Sequence, residues 1–415
     1  MILEEYLKMN DTNIRQLHLI SGIPETTVRS IDKREIDRWS IEYFDAIAKT
    51  VKKSRYTVIK ELEVLNDKSG NVNKDTLTGK YNLENRRYIG NKSKLLNWIS
   101  ELVNKYTKGS TFFDVFAGTG VVTKKMLPIF SEFVINDFLY SNNVIYHAFF
   151  STQKIDIQKI YSLQNEFRII NSNKLDDDYF VDNYGGRYFS EHDARIIGEI
   201  RTQIKNNQSL NEHERAVLIA SLIYSVDKIA NTVGHYDAYR KKVYLKDRFV
   251  FNLITPLNVS EKKVEIFRED SNALVRKVKA DVAFIDPPYN SRQYSRFYHV
   301  LESIAKWNKP KLEGVARKPP VENMSEYSKT AAPEVFEDLI SNLDTKYIVV
   351  TYNNTYNSKS SSSKNKITLE QILKTLNKAG NTKKFEMPFR YFNAGKTSFK
   401  GHKEYVFITE VTKKC

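Results

Sequence analysis

The sequence predicts an α/β protein: a parallel-rich sheet flanked by helices, preceded by an all-helical domain and interrupted by an inserted domain. Three observations carry this. Four apolar, strand-like segments each run into an acid or a small-residue turn, as at one edge of a parallel sheet. Residues 14–65 instead carry apolar positions at helical spacing. About 130 residues separate two of the strand-ending acids, Asp137 and Asp270, far more than one helix and strand need.

The 415 residues suffice for two or three domains. Five segments are expected: a helical domain at 1–66, a linker at 67–83, a first core part at 84–150, an insert at 151–262 and a second core part at 263–415. The linker reading rests on Asn66–Tyr81, rich in Asn, Asp, Lys, Gly and Thr, with only Val72 and Leu77 as isolated apolar residues. No repeat of 20 to 50 residues is seen, which argues against a solenoid or propeller.

In the helical domain the apolar positions Ile14, Leu17, Ile20, Ile23, Val28, Ile31, Ile41, Phe44, Ile47, Ala48, Val51, Val58, Ile59, Leu62 and Leu65 fit four short helices. Ser21-Gly22-Ile23-Pro24 supplies a glycine able to take positive φ and a proline suited to a helix start. This resembles a phage-repressor helix-turn-helix with Glu25–Ile31 as recognition helix, and Thr26, Thr27 and Arg29 are its candidate groove contacts. Residues 1–83 hold 14 Lys and Arg against 13 Asp and Glu, so a bundle used for packing or dimerisation is the competing reading.

In the core, Thr111–Val122 is an apolar strand ending in Phe116-Ala117-Gly118-Thr119-Gly120, where glycines let a ligand approach the backbone. No Gly-Lys-Ser/Thr follows, which disfavours a nucleotide triphosphatase. Glu132–Asp137 is a second strand whose terminal acid is placed to accept ribose hydroxyls. Val264–Asp270 is a third strand running into an acid. The fourth segment, Asp281–Asn290, runs into Asp286-Pro287-Pro288-Tyr289, where two prolines stop the strand and stiffen the loop. What remains is a carboxylate, outward carbonyls and an aromatic ring. Asp286 and the Pro287 carbonyl can accept the two hydrogens of an exocyclic amine while Tyr289 stacks on the base.

With that tetrad behind the Gly-x-Gly turn, the large unit resembles the adenine-N6-specific DNA methyltransferases dependent on S-adenosylmethionine, of the Dam-like (alpha) class. Asp286–Tyr294 resembles the restriction-system members in particular. The resemblance spans about residues 84–415, with Thr111 and Phe112 leading the first strand in place of a longer aliphatic run. It implies a Rossmann-like methyltransferase sheet, with Tyr347–Asn354 a later strand and His402–Phe407 in the final antiparallel one. Arg87–Leu96 is similar to the segment that precedes the cofactor strand, which makes Tyr88 and Lys92 cofactor residues. By the same match Asp137 takes the ribose, Asp270 lies by the cofactor adenine, Asp114 with Phe116, Gly118 and Gly120 forms the floor, and Asp286 completes the site. The catalytic set is Asp286, Pro287 and Tyr289.

The insert is where this class carries target recognition. Within it, Ala230–Lys242 combines aromatics, Asn and basic residues, and Asn231, His235, Tyr236, Arg240, Lys241 and Lys242 are the expected DNA contacts. Residues 195–248 count 10 basic against 6 acidic, so a merely solvated basic face is the alternative.

Composition bounds the partners. Lys and Arg total 65 against 50 Asp and Glu, a formal charge of +15 that favours polyanions, double-stranded DNA first. Residues 357–415 hold 13 basic and 4 acidic residues, and the polar run Asn357–Lys366 reads as a mobile loop, either solvated or touching phosphates. No stretch approaches the ~18 apolar residues of a membrane span, and no signal peptide is expected, so the expected location is cytoplasmic. The single cysteine, Cys415, fits a reducing compartment and disfavours the cysteine-addition chemistry of carbon-5 methylation. His192, His235 and His299 lack ligand-like spacing, so no metal is expected. No region offers paired acids and a lysine at nuclease spacing, and a separate cognate restriction endonuclease is the expected partner. RNA adenine or cytosine-N4 methylation, and a catalytically silent DNA-binding regulator, are the alternatives.

Overall fold

The computed structural model describes residues 2–33, 36, 39–68, 77–90, 92–354, 365–388 and 403–412. Asn357–Lys364 of the expected mobile loop, Asn91, His402 and Cys415 lie outside the described residues. Two compact units are distinguished: Met1–Asn85 with Gln153–Asn231 and Arg240–Pro256, and Arg86–Thr152 with Thr232–Tyr239 and Leu257–Cys415.

The first unit opens with α1 (Ile2–Met9), α2 (Ile14–Ser21), α3 (Glu25–Ile31), α4 (Ile41–Val51) and α5 (Arg55–Lys68). The last four are the expected short helices. α1 is an addition: Leu3 and Leu7 recur at helical spacing and are fully buried with Leu17, Ile47 and Leu62. The backbone N–H of Leu3 donates to Asp32 Oδ1 at 2.8 Å, which ties α1 to the end of α3. The α2–α3 turn follows its residues: Gly22 closes α2 at φ 73° with its N–H on the His18 carbonyl, and Pro24 leads directly into α3. Ile20, expected in the core, is 43% exposed, and Tyr43, Phe44 and Trp39 fill the centre.

Elsewhere in this unit the chain is also helical, with Ile157–Arg168, Tyr179–Tyr184, Glu191–Asn206 and Glu212–Ile229. Each starts on a side-chain cap, Asp156, Asp178, Ser190 and Asn211 respectively. At the end of the expected linker, Leu77 and Tyr81 are buried, and Tyr81 bridges to Ile254.

The second unit is built on a seven-stranded sheet flanked by helices. Its strands are β1 (Thr111–Asp114), β2 (Glu132–Asn136), β3 (Lys263–Phe267), β4 (Lys279–Ile285), β5 (Asp344–Asn353), β6 (Gly380–Pro388) and β7 (Lys403–Val411). The spatial order is β3-β2-β1-β4-β5-β7-β6. β1 to β5 pair parallel, and β7 runs antiparallel to both β5 and β6. This is a Rossmann-like methyltransferase sheet. β6 went unread in the sequence because it lies at the sheet edge, where Lys383 and Lys384 interrupt the apolar signal and keep the edge from pairing further.

The order reverses between β1 and β4, so the carboxyl ends of these two strands border the crevice where such sheets take ligands. Asp281 fixes their offset: Oδ2 accepts the backbone N–H of Ser110 at 2.7 Å and of Thr111 at 3.1 Å, the residues that open β1.

Candidate active site

A pocket of about 420 Å³ opens at this switch point, entirely within the second unit. Its floor is the turn after β1. Gly118 (φ 55°) and Gly120 (φ 76°) adopt left-handed conformations. A Cβ on Gly118 would lie 3.4 Å from the Tyr88 ring, and one on Gly120 3.3 Å from Tyr146 and Phe150. Asp114, at the end of β1, is 1% exposed and accepts the Thr123 hydroxyl at 2.6 Å on Oδ2. Its Oδ1 is buried with no hydrogen-bond partner. Burial pushes this carboxyl up to about 7 against the Thr123 bond, with Asp286 and Asp137 adding to the rise.

At the end of β2, Asp137 accepts the Gly118 N–H at 3.0 Å and the Leu139 N–H at 2.9 Å. Burial raises its pKa although both bonds favour the charged form. Asp270 follows β3, caps the short helix Ser271–Leu274 through the Ala273 N–H at 3.0 Å, and stands exposed at the rim. Phe116 lies edge-on to Tyr327 at 5.1 Å on the same side of the pocket.

The tetrad follows β4. Asp286 uses both oxygens: Oδ1 accepts the Thr351 hydroxyl at 2.7 Å and Oδ2 meets Lys92 Nζ at 2.6 Å. Lys92, expected at the cofactor, is thus placed on the carboxylate of the tetrad. Burial opposes its charge, but Asp286 and Glu404 outweigh that and hold its pKa above the ordinary lysine value. Tyr289 donates its hydroxyl to the Thr351 carbonyl at 2.6 Å and stands edge-on to Tyr352 at 4.9 Å, so its ring is fixed at the pocket wall.

Tyr88 is held by residues that sequence reasoning passed over. Its ring stacks on Tyr298 (4.9 Å, 8°) and leans on Tyr294 (5.2 Å). Tyr298 Oη accepts the Ile89 N–H at 2.8 Å, and Tyr294 donates its hydroxyl to the Ile89 carbonyl at 3.2 Å. Arg86 lies over Tyr88 and Tyr298 at 5.1 and 5.7 Å. The available signal was spacing: Tyr294 and Tyr298 stand four apart directly after the tetrad run, one face of a helix. Thr351 and Glu404, on β5 and β7, carried no local signal because only strand pairing brings them to Asp286 and Lys92.

The expected DNA contacts divide. Thr26, Thr27 and Arg29 are exposed on α3, with Arg29 Nη1 3.8 Å from Glu4 of α1. Arg240, Lys241 and Lys242 are exposed. Asn231 is buried and braces the backbone, its amide donating to the carbonyls of Arg187 and Arg240 at 2.9 Å each. Tyr236 is fully buried, with its N–H on the Phe297 carbonyl at 2.7 Å. His235 stacks on Phe297 at 4.7 Å. Where sequence spacing offered His192 no partners, the fold sets its Nδ1 3.2 Å from Asp193 Oδ1 and 4.0 Å from Asp247 Oδ1.

Comparison with known proteins accords with this geometry. The profile of the D12 class N6 adenine-specific DNA methyltransferases matches residues 88–367. Modification methylase StsI of Streptococcus sanguinis is 33% identical over 65% of this chain and 44% of its own length. Modification methylase LlaI of Lactococcus lactis subsp. lactis is 34% identical over 65% of this chain and 46% of its own. Type II methyltransferase M.NlaIII of Neisseria lactamica is 28% identical over 78% of this chain and 99% of its own. The chain therefore spans under half the length of the first two relatives and nearly all of the third. The matched segment contains Asp114, Asp137, the Asp286–Tyr289 tetrad and the tyrosines that hold Tyr88; the chain belongs to the D12 class N6 adenine-specific DNA methyltransferase family.

Proposed function

We propose that this chain transfers a methyl group from S-adenosylmethionine to N6 of an adenine flipped out of double-stranded DNA, at a specific sequence, as the modification partner of a separate restriction endonuclease. The observation that carries the reading is the placement of Asp286 at the end of β4, across the switch point from the glycine turn after β1. A single crevice then has a carboxylate for an amine and a close-approach backbone for a donor.

The residues fit the donor. Asp114 leaves a buried oxygen without a hydrogen-bond partner, and Gly118 and Gly120 hold the turn in left-handed conformations that a side chain would strain. Tyr88, Phe116, Asp137 and Asp270 would complete its binding. S-adenosylmethionine, when bound, supplies an electrophilic methyl on sulfur. The chain binds and orients. Asp286 and the Pro287 carbonyl accept the two N6 hydrogens and turn the nitrogen lone pair out of the base plane, while the fixed Tyr289 ring packs on the base. The amine has to share an oxygen of Asp286 that Lys92 and Thr351 already use. No covalent enzyme intermediate is required.

Target choice falls to the basic surface of the insert, and α3 with Thr26, Thr27 and Arg29 adds a second contact for site search or control of its own gene. In cells expressing the wild type, single-molecule sequencing is expected to find N6-methyladenine at one recurring sequence. Arg240→Ala should relax that sequence at one position, at a cost of about 1–3 kcal/mol in discrimination. Equal loss at every sequence would instead make Arg240 a phosphate contact. Methyl groups on RNA or on cytosine N4 would move the substrate, and none at all would leave a DNA-binding regulator.

A further inference from the structure

We propose that Asn290 reads the flipped base: its side-chain amide donates a hydrogen bond to a ring nitrogen beside the exocyclic amine, N1 or N7 of adenine. This inference rests on the methylation reading above and adds a specificity-determining residue to it.

Asn290 follows the tetrad directly and lines the same pocket as Asp286 and Tyr289, half-buried. Its backbone is pinned. Asn290 forms an antiparallel bridge with Asn365, and the Lys366 N–H donates to the Tyr289 carbonyl at 2.6 Å, so the pairing that holds Tyr289 also places Asn290. The side chain is oriented as well: Oδ1 accepts the Arg292 N–H at 3.1 Å, an Asx turn. Only the oxygen of an amide can accept a backbone N–H, so this bond settles which end is which and leaves Nδ2 for a ligand. Nδ2 makes no hydrogen bond among the described residues. Other amides of the pocket wall are engaged: Gln293 Nε2 donates to the Ser325 carbonyl at 3.0 Å, and Asn365 Nδ2 to the Asn353 carbonyl and Oδ1 at 3.0 and 3.2 Å.

The base supplies the complement. Adenine flanks its amine with N1 on one side and N7 on the other, and both are acceptors only. Asp286 and the Pro287 carbonyl are acceptors too, so they suit the amine and offer nothing to a ring nitrogen. An amide donor on the same loop completes the pattern, as Asn does when it pairs with an adenine edge. The two nitrogens differ in what they exclude. A contact to N7 has no counterpart in cytosine, where C5–H stands beside the amine, whereas a contact to N1 is matched by cytosine N3.

The test is single-turnover methylation by the full chain of duplexes whose target is adenine, 1-deazaadenine or 7-deazaadenine, with wild type, Asn290→Ala and Asn290→Asp. Wild type is expected to slow about 3- to 10-fold on one of the two analogues, the worth of one neutral hydrogen bond, and that analogue names the nitrogen. Asn290→Ala should lose the same factor on adenine and lose no more on that analogue. Asn290→Asp keeps an acceptor for the Arg292 N–H but has no N–H to give, so it should be at least as slow as Asn290→Ala. Asn290→Asp at the wild-type rate would overturn the inference and leave Asn290 a turn residue. A wild type indifferent to both analogues, or an Asn290→Ala as sensitive to them as wild type, would overturn it too. If Asn290→Ala fails to fold, Asn290→Asp carries the same comparison. A wild type that transfers nothing to unmodified DNA would sink the methylation reading itself, a different result from one that methylates with no dependence on Asn290.

Discussion

Asp286→Ala is expected to abolish methyl transfer while leaving duplex DNA affinity within about twofold of wild type, because in the proposed reaction the carboxylate would meet the reacting amine and not the phosphate backbone. Two effects combine. The amine loses its charged acceptor, and removal of such an electrostatic partner costs on the order of 10² to 10³ in rate. The Lys92 ammonium loses its 2.6 Å partner as well and is left in the pocket, where it repels an amine developing positive charge. The Thr351 hydroxyl also loses its acceptor. Single-turnover methylation beside a filter-binding or anisotropy titration checks both halves. Near-normal methylation by the variant would remove Asp286 from the mechanism.

Asp137→Ala should act on the donor instead. The carboxylate holds the Gly118 N–H at 3.0 Å and the Leu139 N–H at 2.9 Å, so it shapes the glycine turn as well as offering oxygens to a ribose. Hydrogen bonds to a charged acceptor contribute about 1.5–3 kcal/mol each. Losing one such bond to a ribose hydroxyl should weaken S-adenosylhomocysteine binding by about 10- to 100-fold, measured by calorimetry on the full chain. DNA affinity should be retained. Unchanged affinity for S-adenosylhomocysteine would place the ribose elsewhere.

Much of the fold was legible because its signals are local. The strands ending at Asp114, Asp137 and Asp286 are continuous apolar runs, as parallel strands buried on both faces must be. Gly22 and Pro24 marked the α2–α3 turn by conformation alone. α1, no shorter than α2 or α3, lacks the glycine and proline that marked their turn. The acids and the tetrad of the candidate site could be named from single segments. The partners that hold them could not: Thr351 and Glu404 reach Asp286 and Lys92 through β5 and β7, and Glu302 reaches from another helix to accept the N–H groups of Tyr140 and Ser141 at 3.0 and 2.8 Å. Composition did not show the burial of Tyr236 and Asn231. An aromatic and an amide in a basic run suit DNA; here both are buried, and the exposed basic residues of the run begin at Arg240.

The central claim is that the Asp286 carboxylate and the glycine turn together methylate adenine N6 in DNA. Its most direct measurement is transfer of label from S-adenosylmethionine to unmethylated duplex DNA by the purified chain, followed by nucleoside analysis. The account predicts label in N6-methyladenine, absent with Asp286→Ala. Label in N4-methylcytosine, label only in RNA, or undiminished transfer by Asp286→Ala would contradict it.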